Sequence, residues 1–600
     1  MSEQTLSSSS SSQLFINNLQ QSLDLCSKGV ENGDFRKSEA SISELVESIS
    51  SISDAAISAV DDEETLINSI TVLSYIHSYL SNPTLDQAVI DALSFELPKA
   101  IAKFSGVSQR CSELVENIID LFITKCSPRD MISVFSEALD SYGKTTDAPG
   151  YVATFLLGVS KVFLNIQRRH FEQMKVAIPI VLNALKAASF DLDDSDVGLE
   201  ILFKGAIAIA DSIQATCKKL EGEASAKLRN LLGLYVLQVI AVVSISMGNR
   251  ESICLSFVVH LSSFVPYCGL LYANLIIGHG IDLLVSHVCD GDTDDYIDCF
   301  SYVKHGAVLS VIWGHISDEV SQAARQDVHI LKDELRSTQS SRWSAVGLIK
   351  CVFNLGNLPW NLKKHALEFL LGITENIDQQ ETSEDTKCSL HTLSVTSTLQ
   401  VAITLLIMTA PNAELRKMAF AALKSVLADI PASSRLDMMQ ALIRSSYSAS
   451  MTAILIDCVR ENLRNDYPKL KEAKICTSNS FWNAGILDLV ELVLRPPSGG
   501  PPSLPEQSDA VLSALNLYRY VLITESTGKT NYTGVISRSN LQKAYNEWLL
   551  PLRNVVTAMI SETKKDGEQL GFDIMCGLNP VEFVLYRCIE LVEDSIKQSI

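Results

Sequence analysis

The chain has 600 residues, of which 47% are hydrophobic and 20% are charged, with 28 glycines and 17 prolines. This composition excludes a mostly disordered or collagen-like chain, and the length predicts either several domains or one extended repeat array. The formal net charge of −21 repels phosphate backbones, so it argues against a general nucleic-acid binder, and we expect proteins as partners.

The N-terminal part of the chain is predicted to be helical after a short tail. Residues 1–12 end in a run of serines, and we predict that this segment is a disordered tail. Across residues 13–335, apolar residues recur at helical spacing between short polar turns. This pattern predicts an N-terminal helical repeat region.

One stretch of this region, residues 231–247, is apolar enough to suggest a membrane span. Its length is borderline for crossing a bilayer, it contains the polar Gln238, and similar apolar stretches follow it directly. A helix buried on all sides within a large repeat array explains these features better. We therefore predict no membrane partner.

The cysteines indicate a reducing compartment. All fourteen are scattered singly within apolar helical runs, and no CxxC pair occurs, which is typical of core-packing thiols of an intracellular protein. The first residues carry neither the basic nor the apolar segment of a secretory signal. No basic nuclear-import cluster stands out, so we expect residence in the nucleus, the cytoplasm or both.

The strongest structural signal is a helical segment that occurs twice in the C-terminal region, which we place at residues 336–600. LKKHALEFLLGI begins at Leu362 and LRKMAFAALKSV begins at Leu415, each a few residues after a proline. Both copies carry apolar residues at i, i+4, i+8 and i+11, on one face of a helix. Because such a helix needs neighbours to bury this face, the pair predicts an all-α fold, an irregular HEAT/armadillo-like helical repeat solenoid. The apolar positions are Leu362, Ala366, Leu370 and Ile373 in the first copy and Leu415, Ala419, Leu423 and Val426 in the second.

A proline- and glycine-rich loop, residues 495–507, interrupts the C-terminal region, because proline lacks the amide donor that a helix needs and glycine loosens the backbone. A last group of helices follows this loop. We predict that Ser508 caps the first of them and that Asn579 and Pro580 start the last.

No motif predicts catalysis, a cofactor or a bound metal. DGDTDD, from Asp290, resembles the opening of a calcium-binding loop, but Asp295 stands where that loop needs glycine and Ser301 where it needs glutamate. We interpret it as a solvated acidic turn. DLDD, from Asp191, follows a helical pattern rather than the strand that normally precedes an aspartyl nucleophile. The ten histidines form no HExxH motif and no nucleotide-binding glycine loop occurs, so we predict that the protein is not an enzyme.

Small basic clusters in the C-terminal region are the candidate partner interface. On an acidic chain, cations on equivalent helices of a repeat array can form a ridge where a partner docks. The alternative for each residue is an ordinary solvated surface. The candidate interface residues are Lys363, Lys364, Arg416, Lys417, Arg435, Arg444, Arg460 and Arg587.

Four segments of the C-terminal region resemble the glomulin family. They are PWNLKKHALEFLLGITENID from Pro359, PNAELRKMAFAALKSVL from Pro411, NEWLLPLRNVV from Asn546 and NPVEFVLYRCIELVED from Asn579. The resemblance implies an α-helical HEAT-like protein that binds the RING-box subunit of cullin-RING (SCF-type) ubiquitin ligases and, through it, cullin. It also implies that the C-terminal helices cover the RING face on which a ubiquitin-conjugating enzyme docks, which inhibits ubiquitin transfer.

The residues leave a second function open, a general α-solenoid scaffold or transport adaptor that binds peptide cargo. In either case we expect the protein to be a monomer by itself.

Overall fold

The computed structural model describes residues 4–598, apart from 59–61, 142–148, 192–195, 247–249, 290–297, 376–403, 447, 474–480, 497–498 and 567–568. Every regular element in these ranges is a helix, and helices close in sequence pack against one another. Each helix thereby buries its apolar face against neighbours, as the units of a helical repeat do. The predicted fold class, an all-α helical repeat solenoid, is confirmed.

The chain divides into two compact units, of which unit 1 comprises Met1–Glu334 and Leu355–Ala366. This unit also contains a short 3₁₀-helix, Lys103–Gly106. The helices that lie wholly within unit 1 are α1 (Gln4–Glu31), α2 (Phe35–Ser58), α3 (Glu63–Leu80), α4 (Gln87–Leu93), α5 (Leu97–Ala102), α6 (Gln109–Lys125), α7 (Pro128–Asp140), α8 (Pro149–Asn165), α9 (His170–Asp191), α10 (Asp196–Lys219), α11 (Gly222–Ser246), α12 (Glu251–Ser262), α13 (Phe264–Tyr267), α14 (Tyr272–Ile276), α15 (His279–Cys289), α16 (Val303–Ile316) and α17 (Asp318–Ala323).

Unit 2 comprises Leu335–Asn354 and Leu367–Ile600. The unit boundaries fall within α18 (Val328–Ser337), after α19 (Gln339–Asn354) and within α20 (Trp360–Thr374). A π-helical turn, Ala544–Leu549, joins two consecutive helices of this unit. The further helices of unit 2 are α21 (Thr404–Thr409), α22 (Ala413–Ala428), α23 (Ala432–Ser445), α24 (Ala449–Ala473), α25 (Gly485–Leu494), α26 (Ser508–Gly528), α27 (Arg538–Lys543), α28 (Leu550–Asp566) and α29 (Gln569–Gln598).

Helix α11 lies in the core of unit 1, and its residues from Leu231 to Ile245 are all buried. Within the described ranges it is the one helix long and apolar enough to cross a membrane. Of its most apolar 18-residue stretch, 89% is buried inside the protein. The amide of Gln238 donates to the carbonyl oxygen of Cys299 and accepts from the backbone N–H of Tyr302, both at 3.0 Å. This polar residue therefore holds a neighbouring segment of the fold, and the predicted buried helix is confirmed.

Helix α16 crosses α11 so closely that only glycine fits at the crossing. A Cβ at Gly306 would overlap the carbonyl oxygen of Leu237. Because the obstacle is backbone rather than a flexible side chain, a methyl group there forces the two helices apart.

The duplicated segment forms α20 and α22, and its eight apolar positions are all buried, with exposed fractions of 6% or less. Helix α20 begins directly after Pro359, and α22 begins two residues after Pro411. The spacing of apolar residues therefore identified the inner face of both helices.

A buried charge cluster joins α19 to the C-terminal end of α22. Asp429 accepts hydrogen bonds from Nη2 of Arg342 at 2.6 Å, from Nε of Arg342 at 2.8 Å and from Nε1 of Trp343 at 2.8 Å. Nη1 of Arg342 donates to the carbonyl oxygens of Leu335 and Arg336. Both charged side chains are only 3% exposed, so neither has water to replace a lost partner.

Three helix starts differ from the sequence-based expectation. Helix α1 begins at Gln4, within the segment that we predicted to be a disordered tail (residues 1–12). The serine run contains no glycine or proline to stop a helix, and serine has only a moderate helix penalty. Helix α26 has Gln507 rather than Ser508 at its N-cap. Pro580 lies inside α29, which begins at Gln569. Between α25 and α26, the described residues of the proline- and glycine-rich loop are not helical.

Candidate partner interface

Two of the basic candidates lie near the start of α22. Asn412 caps this helix by accepting a hydrogen bond from the backbone N–H of Leu415 at 2.7 Å. Because Leu415 is buried, the next two residues, Arg416 and Lys417, are turned to the exposed side of the helix. Nη1 of Arg416 donates to the carbonyl oxygen of Ala410 at 2.8 Å. This contact holds the guanidinium near the N-terminus of α22 and leaves further N–H groups for a partner.

Helix α23 carries two arginines in different environments. Arg444 is exposed in its last turn. Arg435 is half-buried and donates to the carbonyl oxygens of Ala428 and Ile430 and to the side chain of Asn462. Burial lowers the pKa of its guanidinium from the usual value. Arg435 therefore joins the end of α22 to α24, and its donors are used within the fold.

Arg460 and Arg587 each pair with a carboxylate on their own helix. Arg460 lies 3.0 Å from Asp457 on α24, and Arg587 lies 2.8 Å from Glu590 on α29. All four side chains are at least 37% exposed, so these pairs are solvent-screened and can exchange their partners at little cost.

The two lysines of α20 lie in unit 1 rather than in unit 2. Lys363 is only 5% exposed, and its ammonium lies 4.7 Å from the centre of the Trp360 ring. Burial lowers the pKa of this ammonium. Lys364 is partly exposed. A lysine this deeply buried does not fit a surface contact, so Lys363 is removed from the candidate interface.

The sequence carried a signal for this correction. Lys363 is three, four and seven residues before Ala366, Leu367 and Leu370, which are all buried, so helical spacing places it on the inner face of α20. Its long aliphatic stem allows it to lie there.

Sequence reasoning missed two exposed aromatic residues beside Arg587. Phe583 is 75% exposed and Tyr586 is 41% exposed, both on α29. At about 100° per residue, Phe583 lies roughly 200° around the helix from the buried Val581 and Leu585. Helical spacing in the sequence could therefore have indicated that Phe583 is exposed. Phenylalanine in an apolar helix is, however, usually interpreted as a core residue.

The described residues contain no group of three or more His, Cys, Asp or Glu side chains that could hold a metal ion. The DGDTDD segment from Asp290 lies wholly outside the described residues. In DLDD, only the backbone of Asp191 is described. The interpretation of both segments stays a prediction.

Comparison with known proteins places the chain in a family. The sequence profile of the YAP/Alf4/glomulin protein family matches residues 41–262 and 364–588, which is more than half of the chain. The chain belongs to the YAP/Alf4/glomulin family. It is 45% identical over 588 residues to Aberrant root formation protein 4 of Arabidopsis thaliana, covering 96% of this chain and 92% of that protein.

Human and mouse proteins of the same family match a shorter part. Glomulin of Homo sapiens is 28% identical over 145 residues, and glomulin of Mus musculus is 27% identical over 143 residues. Each match covers 24% of this chain. A circular tandem repeat protein of known structure aligns over 98% of both chains at 12% identity, but the TM-score of 0.21 supports no structural argument.

Membership of the YAP/Alf4/glomulin family supports a regulatory role in protein interaction, and none of these relatives is named as an enzyme. The second family match includes both the basic candidates from Lys364 onward and the aromatic pair of α29. Lys363 lies just outside it.

Proposed function

We propose that this protein binds the RING-box subunit of cullin-RING ubiquitin ligases and inhibits ubiquitin transfer by covering the docking face of the ubiquitin-conjugating enzyme. The observation that carries the proposal is the family match, with near full-length similarity to Aberrant root formation protein 4 and partial similarity to glomulin. Inhibition by this route needs no reacting group. It needs a stable surface that buries about 1,600 Å² with its partner and outcompetes the enzyme.

The exposed cations of unit 2 support a contact there. Residues 336–600 contain 26 lysines and arginines against 27 aspartates and glutamates, so this region is nearly neutral although the whole chain has a net charge of −21. Arg416, Lys417 and Arg444 are exposed on α22 and α23. Local positive charge on an acidic protein speeds association with an acidic face of a partner. It also disfavours binding to basic surfaces, because like charges repel.

The first experiment measures inhibition directly. Purified protein is titrated into a reconstituted ubiquitin-transfer reaction that contains a cullin–RING-box complex and a conjugating enzyme. We expect the rate to fall in parallel with binding to the RING-box subunit, and a HECT-type ligase supplied by the same enzyme to be unaffected. An unchanged rate at saturating protein would refute the proposed function.

The second experiment tests the basic surface. Reversal of both Arg416 and Arg444 to glutamate should weaken binding to the cullin–RING-box complex about tenfold or more, with a reduced dependence on salt. The matched control is Arg110→Glu, because Arg110 is a similarly exposed arginine of α6 in unit 1, paired with Glu113. Equal affinity for the double variant and the control would exclude these arginines from the interface.

A pull-down from cell extract separates this proposal from the scaffold or transport adaptor. Cullin and RING-box subunits should be the main captured proteins. Capture of diverse cargo without them would favour the adaptor.

A further inference from the structure

The inner face of α29 is fully used by the fold. Leu578, Leu585, Cys588 and Val592 have exposed fractions of 0%, and the helix packs against α26 and α28. The thiol of Cys588 also contacts the carbonyl oxygen of Leu515 on α26 at 3.6 Å. The position of α29 is therefore fixed without any contribution from its opposite face.

That opposite face carries an aromatic ridge, which we define as Phe583 and Tyr586. The two residues are one helical turn apart, so their rings lie side by side on the surface. Within the described part of unit 2, the other exposed large apolar side chains are Met408 (47% exposed) and Ile523 (44% exposed), on two other helices. Phe583 leaves three quarters of its surface in water, which intramolecular packing does not explain.

Pro580 adds a polar feature to the same face. Proline has no backbone N–H, so the carbonyl oxygen of Cys576 lacks the amide donor that a helix normally supplies from four residues further on. Cys576 and Pro580 are both exposed. A carbonyl oxygen without that donor thus belongs to a residue nearly two turns before Phe583, while Arg587 provides donors one turn after Phe583.

We infer that the aromatic ridge is the anchor of the RING-box interface and inserts into a concave apolar site on that subunit. This inference rests on the proposed function. An interface that displaces a competing protein needs a well-packed apolar centre, which exposed cations alone do not supply. Phenylalanine, tyrosine and arginine next to one another are the usual composition of an interface centre, where a few residues carry most of the binding energy.

A second copy of this chain is a poorer occupant. Two convex single-helix ridges meet along a narrow line, and two aromatic side chains from each copy bury far less than the 1,200 Å² or more of a stable interface. The ridge fits a concave partner instead.

The test compares Phe583→Ala with Phe35→Ala in the full-length protein. Phe35, the first residue of α2 in unit 1, is 76% exposed and is thus a control of the same type and exposure. The probe is a purified cullin–RING-box complex, and affinity is measured by isothermal titration calorimetry. Phe583→Ala should weaken binding at least tenfold, and Tyr586→Ala several-fold, whereas Phe35→Ala should bind within twofold of the unsubstituted protein. Because Phe583 is exposed, its replacement should not lower the thermal unfolding midpoint.

The outcomes separate this inference from the proposed function. If the unsubstituted protein binds and Phe583→Ala binds equally well, the ridge is not the anchor, while the proposed function stands. If the unsubstituted protein does not bind, the proposed function fails. If light scattering shows a dimer that Phe583→Ala dissociates, and binding to the complex is unchanged, the ridge serves self-association and the inference is wrong.

Discussion

The buried pair of Arg342 and Asp429 makes the sharpest prediction about stability. Asp429→Ala removes the acceptor of three hydrogen bonds and leaves a guanidinium that is 3% exposed without its counter-charge. Removal of one partner from a buried ion pair costs about 3–5 kcal/mol, because the remaining charge is desolvated and uncompensated. With a urea m-value of about 3 kcal/mol/M for a domain of this size, the unfolding midpoint should fall by about 1–1.7 M.

The matched control is Glu461→Ala, which breaks an exposed ion pair between α22 and α24. Lys424 and Glu461 lie 2.7 Å apart with side chains 41% and 49% exposed, so water and salt screen their attraction. The loss should be about 0.5 kcal/mol or less, a midpoint shift of about 0.2 M. Urea unfolding is followed by far-ultraviolet circular dichroism and tryptophan fluorescence. The reasoning is refuted if the two variants shift the midpoint equally.

Three further predictions concern the core and the thiols. Gly306→Ala should strongly destabilise unit 1 in the same urea assay, because the added methyl group meets backbone, whereas Gly356→Ala, with nothing within 4 Å of its Cβ, should change stability little. Gln238→Leu should cost about 2 kcal/mol in that assay, because it removes two partly buried hydrogen bonds, to the carbonyl oxygen of Cys299 and from the backbone N–H of Tyr302; a stabilised variant would contradict this role. Burial raises the pKa of Cys217 to about 11, so roughly one thiol in a thousand is ionised at pH 8. The exposed Cys576 should therefore react with iodoacetamide far sooner, with peptide mass spectrometry as the measurement, and equal rates would contradict the structure.

The sequence predicted the helical architecture because that information is local. The spacing of Leu415, Ala419, Leu423 and Val426 depends only on the geometry of one helix, and all four side chains are buried. The partners of the buried charges are not local. Arg342 and Asp429 are 87 residues apart, and nothing in the serine-rich segment around Arg342 indicates that its side chain is enclosed. Such pairs depend on how distant helices meet.

The candidate interface was harder to predict because residue type is a weak guide to exposure at a single position. Lys363 is buried and Phe583 is exposed, the reverse of what their side chains suggest. Choosing candidates by charge therefore included a lysine that faces inward and omitted the aromatic ridge next to Arg587. A docking surface is defined by which groups the fold leaves uncovered, and tertiary packing decides this after helix formation. For that reason the Phe583 and Phe35 comparison is more decisive than charge reversal, since two equally exposed rings differ only in where the fold presents them.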